Sequence, residues 1–112
     1  MKIIGIDPGL VQTGFGIINV SNNQTTLIDY GIIKPQPKDT LANRLLTIFN
    51  DVCEIISNYN PQIFAIEEVF YGKNVKSAMR LGQARGASMV AAASKKIPIY
   101  EYSARKVKQS IT

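Results

Sequence analysis

Short apolar runs separated by polar turns open the chain, and a longer stretch of helical periodicity follows them. Residues 2–7 form an isoleucine-rich run that Pro8-Gly9 breaks, and residues 13–20 and 25–33 read as two further strands. The links between these three segments are short. The pattern therefore predicts an antiparallel meander of three strands at the start of the fold.

A long amphipathic helix follows the meander. Asp39 or Thr40 can cap its first turn, apolar side chains recur every three or four residues, and Asn60-Pro61 ends it. Residues 63–67 are again almost entirely apolar and predict a fourth strand. A strand, a long helix and another strand predict a parallel strand pair, with the helix on one face of the sheet.

A second helix, from about residue 74 to residue 96, is unusually rich in alanine and glycine. Each of its two glycines costs about 1 kcal/mol relative to alanine, and a closely packed partner would offset that cost. A short strand over residues 97–102 and the start of a third helix, which Ser103 can cap, complete the chain. This order predicts a single α/β domain over residues 1–112, with a mixed five-stranded sheet flanked by helices.

Composition narrows the chemistry that the chain can carry. Apolar residues make up 46% of the sequence, enough for a core, and no stretch approaches the roughly 20 apolar residues of a membrane span. The N-terminus lacks the apolar run of a signal peptide, and Cys53 is the only cysteine, which fits a reducing, cytoplasmic setting. The chain has no histidine. This excludes histidine-ligated zinc and a Ser-His relay, so carboxylates remain as the main candidates for acid, base or metal-ligand roles.

Charge is distributed unevenly along the chain. Residues 1–71 hold four basic and seven acidic side chains, whereas the remainder holds nine basic side chains and one acid, Glu101, within a net charge of +5. A basic half favours a polyanionic partner such as DNA, and the alternative is a solvated basic face without a partner. The side chains that we expect to contact DNA are an aromatic residue, which could instead be ordinary core, and six cations: Phe70, Lys73, Lys76, Arg80, Arg85, Arg105 and Lys108.

Two carboxylates end apolar strands. Asp7 closes the first strand and Glu67 the fourth, so parallel pairing of these strands would set the two side chains together at the carboxyl edge of the sheet. Two carboxylates at such a short distance repel each other unless a proton or a metal lies between them. Oxygen ligands favour Mg²⁺ or Mn²⁺. The alternative is that Asp7 caps the Pro8-Gly9 turn and Glu67 pairs with a lysine.

Taken together, these segments resemble the RuvC family of Holliday-junction resolvases. The matching motifs keep the family's order along the whole chain: Gly5-Ile6-Asp7-Pro8-Gly9, Thr13-Gly14, Phe64-Ala65-Ile66-Glu67-Glu68-Val69-Phe70, Lys73-Asn74, Ser77-Ala78, Leu81-Gly82-Gln83-Ala84-Arg85-Gly86, Glu101-Tyr102, Ala104-Arg105 and Val107-Lys108-Gln109. No single motif is decisive, but the set is highly specific.

The resemblance implies a ribonuclease H-like fold and a homodimer that cuts two opposed strands of a four-way junction. It implies two Mg²⁺ or Mn²⁺ ions per active site, with Asp7 and Glu67 as the first two acidic ligands. It also implies that Phe70 lies at the junction centre, that Lys108 contacts DNA, that the small-residue helix packs across the dimer axis, and that a branch-migration helicase is a partner.

One departure from the family pattern changes what we expect of these 112 residues. The family carries two further aspartates on a C-terminal helix, and no aspartate follows Glu67 in this sequence. We therefore expect a C-terminally truncated chain with two of four ligands, which binds metal weakly and cuts little or not at all. Two other functions fit the sequence: junction binding without cleavage, and an ATPase of the actin and sugar-kinase type, which has a similar sheet.

Overall fold

The computed structural model describes residues 1–68 and 74–103, which form a mixed sheet with two long helices. The strands and helices, in chain order, are β1 (Lys2–Asp7), β2 (Thr13–Ser21), β3 (Gln24–Ile33), α1 (Leu41–Tyr59), β4 (Ile63–Glu68), α2 (Val75–Ser94) and β5 (Ile99–Ser103). Neither helix is long and apolar enough to cross a membrane.

The sheet has the strand order β3-β2-β1-β4-β5. β1 pairs antiparallel with β2, and β2 with β3, which confirms the predicted meander. Asn22 and Asn23 form the β2–β3 turn with φ angles of 52° and 63°, the two positive values that a type I′ hairpin turn requires. β4 pairs parallel with both β1 and β5, as the strand–helix–strand order predicts. The predicted mixed five-stranded sheet is thus confirmed.

One face of the sheet carries the core. Ile4 and Ile6 of β1 and Phe64 and Ile66 of β4 are at most 3% exposed, and they pack in one cluster with buried residues of both helices. Because side chains alternate along a strand, the intervening residues of β1, which end with Asp7, point to the opposite face. The core thus holds β1 and β4 side by side, and their polar ends lie away from the helices.

The ends of both helices follow local chemistry. The Thr40 side chain caps α1 by accepting a hydrogen bond from the Asn43 amide at 3.2 Å, as one of the two predicted caps would. Asn60 ends α1 in the left-handed conformation with φ of 50°. Asn74 caps α2 by accepting from the Ser77 amide at 3.1 Å.

The last strand starts two residues later than the sequence pattern indicates. Lys96 has a positive φ of 60°, and Pro98 has no N–H to give to a ladder, so regular pairing begins at Ile99. The helix predicted to follow Ser103 lies outside the described residues.

Candidate active site

Strand register brings Asp7 and Glu67 together. Ile6 of β1 pairs with Ile66 of β4, and each carboxylate is the next residue along its strand. Neighbouring strands lie about 4.8 Å apart, so the two side chains occupy adjacent positions on the same sheet face. Both strands run in the same direction, which sets these carboxylates at the carboxyl edge, as the sequence predicts.

Asp7 and Glu67 line an open cleft of about 310 Å³ that has a floor of glycine. Gly5 and Gly16 pair across β1 and β2, and a β-carbon added at either would meet nothing within 4 Å. At Gly14, which faces Asp7 across the two strands, an added β-carbon would contact the Asp7 Cβ at 3.7 Å. The absence of side chains here keeps the floor low, so that a bulky group can approach the carboxylates closely.

Tyr102 is a third polar side chain of this cleft. It lies opposite Glu67 in the pairing of β4 with β5. Burial raises the pKa of the Tyr102 phenol, and the negative charges of Glu67 and Asp7 raise it further. Our sequence reasoning included Tyr102 in a motif but gave it no role, because it depends on β5 lying beside β4. Alternation along Glu101-Tyr102 after a predicted parallel strand is the signal that could have found it.

The contacts of the described residues favour a ligand-binding role for Asp7 and Glu67 over the alternative, in which Asp7 caps the Pro8-Gly9 turn and Glu67 pairs with a lysine. The Pro8-Gly9 turn is closed by Thr13, whose buried hydroxyl accepts from the Gly9 amide at 3.1 Å and donates to the Gly9 carbonyl at 2.7 Å. Asp7 is therefore not needed as a cap. Within residues 1–68 and 74–103, no hydrogen bond or ion pair engages the carboxylate of Asp7 or of Glu67. Their oxygens remain available to a ligand.

The donor set fits a hard divalent cation. Its two ligands are carboxylates, and the described lining of the cleft includes no basic side chain. No cluster of three or more acidic, cysteine or histidine ligands occurs among the described residues. Magnesium is commonly held by one or two carboxylates together with waters and substrate phosphates, so this pair suffices for a partial site.

The residues predicted to contact DNA fall into three groups. Lys76 and Arg80 are exposed near the start of α2. Arg85 is only about 20% exposed, and its guanidinium donates to the Glu101 carboxylate of β5 at 2.5 Å, so this charge is engaged within the chain. The remaining members of the predicted DNA-contacting set lie outside the described residues: Phe70, Lys73, Arg105 and Lys108.

An apolar groove of about 470 Å³ runs between the two helices. Leu46 of α1 and Val90 of α2 border it and are 52% and 59% exposed. Gly82 and Gly86 lie in the same groove, and a β-carbon added at either would meet nothing within 4 Å. The glycines that the sequence singled out therefore face open space in the described part of this chain.

Comparison with known proteins places this chain in a family. The family model described as crossover junction endodeoxyribonuclease RuvC matches residues 3–112. The RuvC proteins of Saccharophagus degradans and Teredinibacter turnerae are 49% and 50% identical to this chain over 97% of its length. The chain spans 63% and 64% of those two proteins, a little under two thirds.

A solved structure gives the same result for the fold. The structure of Thermus thermophilus RuvC in complex with Holliday junction substrate superimposes with a TM-score of 0.89 and 31% identity, over 97% of this chain and 70% of that one. The fold is ribonuclease H-like, as the resemblance implies.

Proposed function

This chain belongs to the RuvC family of crossover junction endodeoxyribonucleases, and from that premise we propose that it contributes to a metal-dependent nuclease that resolves Holliday junctions. The reaction is paired cleavage of two opposed strands in DNA recombination and repair. The observation that carries the proposal is the pair Asp7 and Glu67, which end neighbouring parallel strands in one open cleft.

Asp7 and Glu67 are the residues that would hold the metal. Asp7, on the central strand, and Glu67 would each contribute carboxylate oxygens to Mg²⁺ or Mn²⁺. When bound, such ions supply Lewis acidity for an in-line phosphodiester hydrolysis by water. Two observations support this role: the described residues make no hydrogen bond or ion pair to either carboxylate, and the described lining of the cleft contains no competing cation.

The chain's own residues prepare this cleft for a phosphodiester. The glycine floor leaves room for a DNA backbone beside the two carboxylates. Tyr102 offers a phenol, which can donate a hydrogen bond at neutral pH; burial raises its pKa, and the charges of Glu67 and Asp7 raise it further. Without bound metal the two carboxylates would repel an approaching phosphate, so cations outside the cleft must contribute to DNA binding.

Those cations belong to the basic half of the chain. Lys76 and Arg80 are exposed on α2 and can contact phosphates without reading sequence. Among the other predicted contacts, Lys73 and Arg105 rest on the charge pattern of the sequence, whereas Phe70 at the junction centre and Lys108 rest on the family resemblance. Arg85 takes part differently, because its pairing with Glu101 ties α2 to β5 and thereby supports the strand that carries Tyr102.

A second copy of this chain is the proposed occupant of the groove between α1 and α2. A symmetric junction has two strands to cut, and a two-fold dimer presents two equivalent sites. Exposed apolar residues and glycines with no neighbour within reach support a helix-to-helix contact there. A branch-migration helicase as partner, and the cytoplasm as location, follow from the family resemblance.

The proposal is tested with labelled four-way junctions and linear duplexes of the same sequence in Mg²⁺. The wild-type protein, extended through the C-terminal acidic helix that the family resemblance implies, is compared with Asp7→Asn and with Asp39→Asn, which makes the same chemical change in the turn before α1. The 112 residues alone should bind junctions and cut little or not at all. From the extended protein we expect junction-specific cleavage that Asp7→Asn removes and Asp39→Asn retains, with junction binding intact in all three. Binding without cleavage by the extended wild-type protein would instead favour a recognition module, and no junction binding would contradict the proposal.

A further inference from the structure

A second cleft lies on the other side of the loop that follows Asp7. It has a volume of about 360 Å³ and is bounded by the Pro8-Gly9 turn, by Arg44 of α1, and by Ser77 and Arg80 of α2. Because Pro8 follows Asp7 directly in the chain, this cleft adjoins the one that holds the carboxylates. The two clefts have no described lining residue in common, and they differ in charge.

The chemistry of this second cleft is that of an anion site. Two guanidinium groups and one hydroxyl line it, and its described lining contains no carboxylate. Guanidinium groups present planar forks of N–H donors that match the oxygens of a phosphate. The first cleft has the opposite character, since its ionisable side chains are two acids and a phenol.

The Arg44 guanidinium is held in place by one hydrogen bond, but another of its donors has no partner among the described residues. Its Nη2 donates to the Leu10 carbonyl at 3.2 Å, which fixes the guanidinium against the loop. Its Nε is buried and has no partner among the described residues. A buried donor left unpaired costs about 1–3 kcal/mol, so this arginine has a reason to shift toward an incoming acceptor.

We propose that Arg44, Ser77 and Arg80 form a subsite for a backbone phosphate of DNA, next to the phosphate that is cleaved. This rests on the function proposed above, and it adds a binding site on the opposite side of the Asp7 loop. Its role is to hold the strand in register, since the acidic cleft repels phosphate on its own. The contact is sequence-independent, because phosphates carry no base information.

Junction binding measured against salt concentration tests the subsite. Each phosphate contact contributes about 0.9 to the slope of log affinity against log salt. We expect Arg80→Ala to lower the magnitude of that slope by about 1. The control is Lys95→Ala, which removes the same charge about 22 Å further along the helix and should leave the slope unchanged.

Two further variants separate a phosphate contact from a structural role. Ser77→Asp adds a negative charge at the first turn of α2, where the helix dipole stabilises it, so the protein should melt no lower while binding DNA more weakly. Arg44→Gln combined with Arg80→Ala should lower the slope by about as much as either change alone, since both side chains hold one phosphate.

The outcomes are distinguishable. If the wild-type protein binds junctions and neither Arg80→Ala nor Ser77→Asp weakens binding more than Lys95→Ala does, the subsite is wrong and the proposed function stands. If the wild-type protein binds no junction, both proposals fail. If Arg44→Gln lowers the melting temperature sharply, its effect on binding no longer reports on the subsite. The test then rests on Arg80→Ala and Ser77→Asp, whose positions on α2 are exposed.

Discussion

Glu67 of β4 lies opposite Tyr102 of β5, so a phenol side chain borders the cleft that holds both carboxylates. In the protein extended through the C-terminal helix, we expect Tyr102→Phe to slow junction cleavage about tenfold, the equivalent of one hydrogen bond, because it removes the donor that the cleft offers to a bound phosphate. Tyr100→Phe is the matched control: it makes the same change two residues earlier on the strand, outside the described lining of the cleft. Equal cleavage rates for the two variants would remove Tyr102 from the site.

The loop after Asp7 tolerates no side chain at Gly9. A β-carbon at this position would overlap the Gln12 carbonyl oxygen. We expect Gly9→Ala to destabilise the protein by about 1–3 kcal/mol, since the backbone must shift to relieve the overlap. Urea denaturation checks this, with Gly82→Ala as the control. An unchanged unfolding free energy for Gly9→Ala would mean that the loop differs from the one described.

Replacing Gly82 by alanine should raise the unfolding free energy, whereas the same change at Gly9 should lower it. An added methyl group meets nothing in the described chain, so Gly82→Ala should raise the stability of the monomer by about 1 kcal/mol through helix propensity. If a second copy packs on this groove, the same methyl group should weaken self-association. Sedimentation at several protein concentrations measures the second effect. A wild-type protein that is monomeric throughout would contradict the dimer proposal.

Variants of the Arg85–Glu101 ion pair test whether Arg85 supports the fold or contacts DNA. A half-exposed ion pair contributes about 0.2–1 kcal/mol, so Arg85→Ala and Glu101→Gln should each lower the unfolding free energy by a similar small amount. Both should affect junction affinity little. If Arg85→Ala alone weakened binding and reduced its salt dependence, the original expectation of direct DNA contact would be correct for this residue.

Stability should depend on pH through Asp29 and Tyr59. The Tyr59 hydroxyl donates to the Asp29 carboxylate and lowers the Asp29 pKa, with a further contribution from the Tyr30 amide. A lowered carboxyl pKa contributes stability that is present above the ordinary value near 3.8 and is lost as pH falls through the folded-state pKa.

The Tyr59 pKa is raised, chiefly by the same bond, so its contribution persists below pH 10 and is lost above the raised pKa. We therefore expect Tyr59→Phe to melt lower than wild type at neutral pH, with the difference shrinking at both extremes. Melting temperatures of both proteins across the pH range check this. A constant difference at all pH values would show that packing, not the bond, is responsible.

The sequence predicted the features that depend on neighbouring positions in the chain. Apolar runs and turn residues predict all five strands and both helices, and the strand–helix–strand order predicts that Asp7 lies beside Glu67. The features that the sequence does not predict depend on contacts between residues that are distant in the chain. Tyr102 acquires its setting from β4, and the pairing of Arg85 with Glu101 needs the relative position of α2 and β5. Arg44 drew no attention because its unpaired Nε is visible only once the loop is folded over it.

The β3 strand forms one margin of the sheet, and that position has a consequence for solubility. Its outer side offers unpaired backbone groups, and Asp29 is the only charged residue between Gln24 and Ile33. A charge on an edge strand discourages strand addition by a neighbouring molecule. The bond from Tyr59 lowers the Asp29 pKa, so this charge persists to lower pH than that of an unbonded aspartate. Once Asp29 is protonated, the strand presents a neutral edge, and acidified solutions of this protein should form β-rich aggregates sooner than neutral ones.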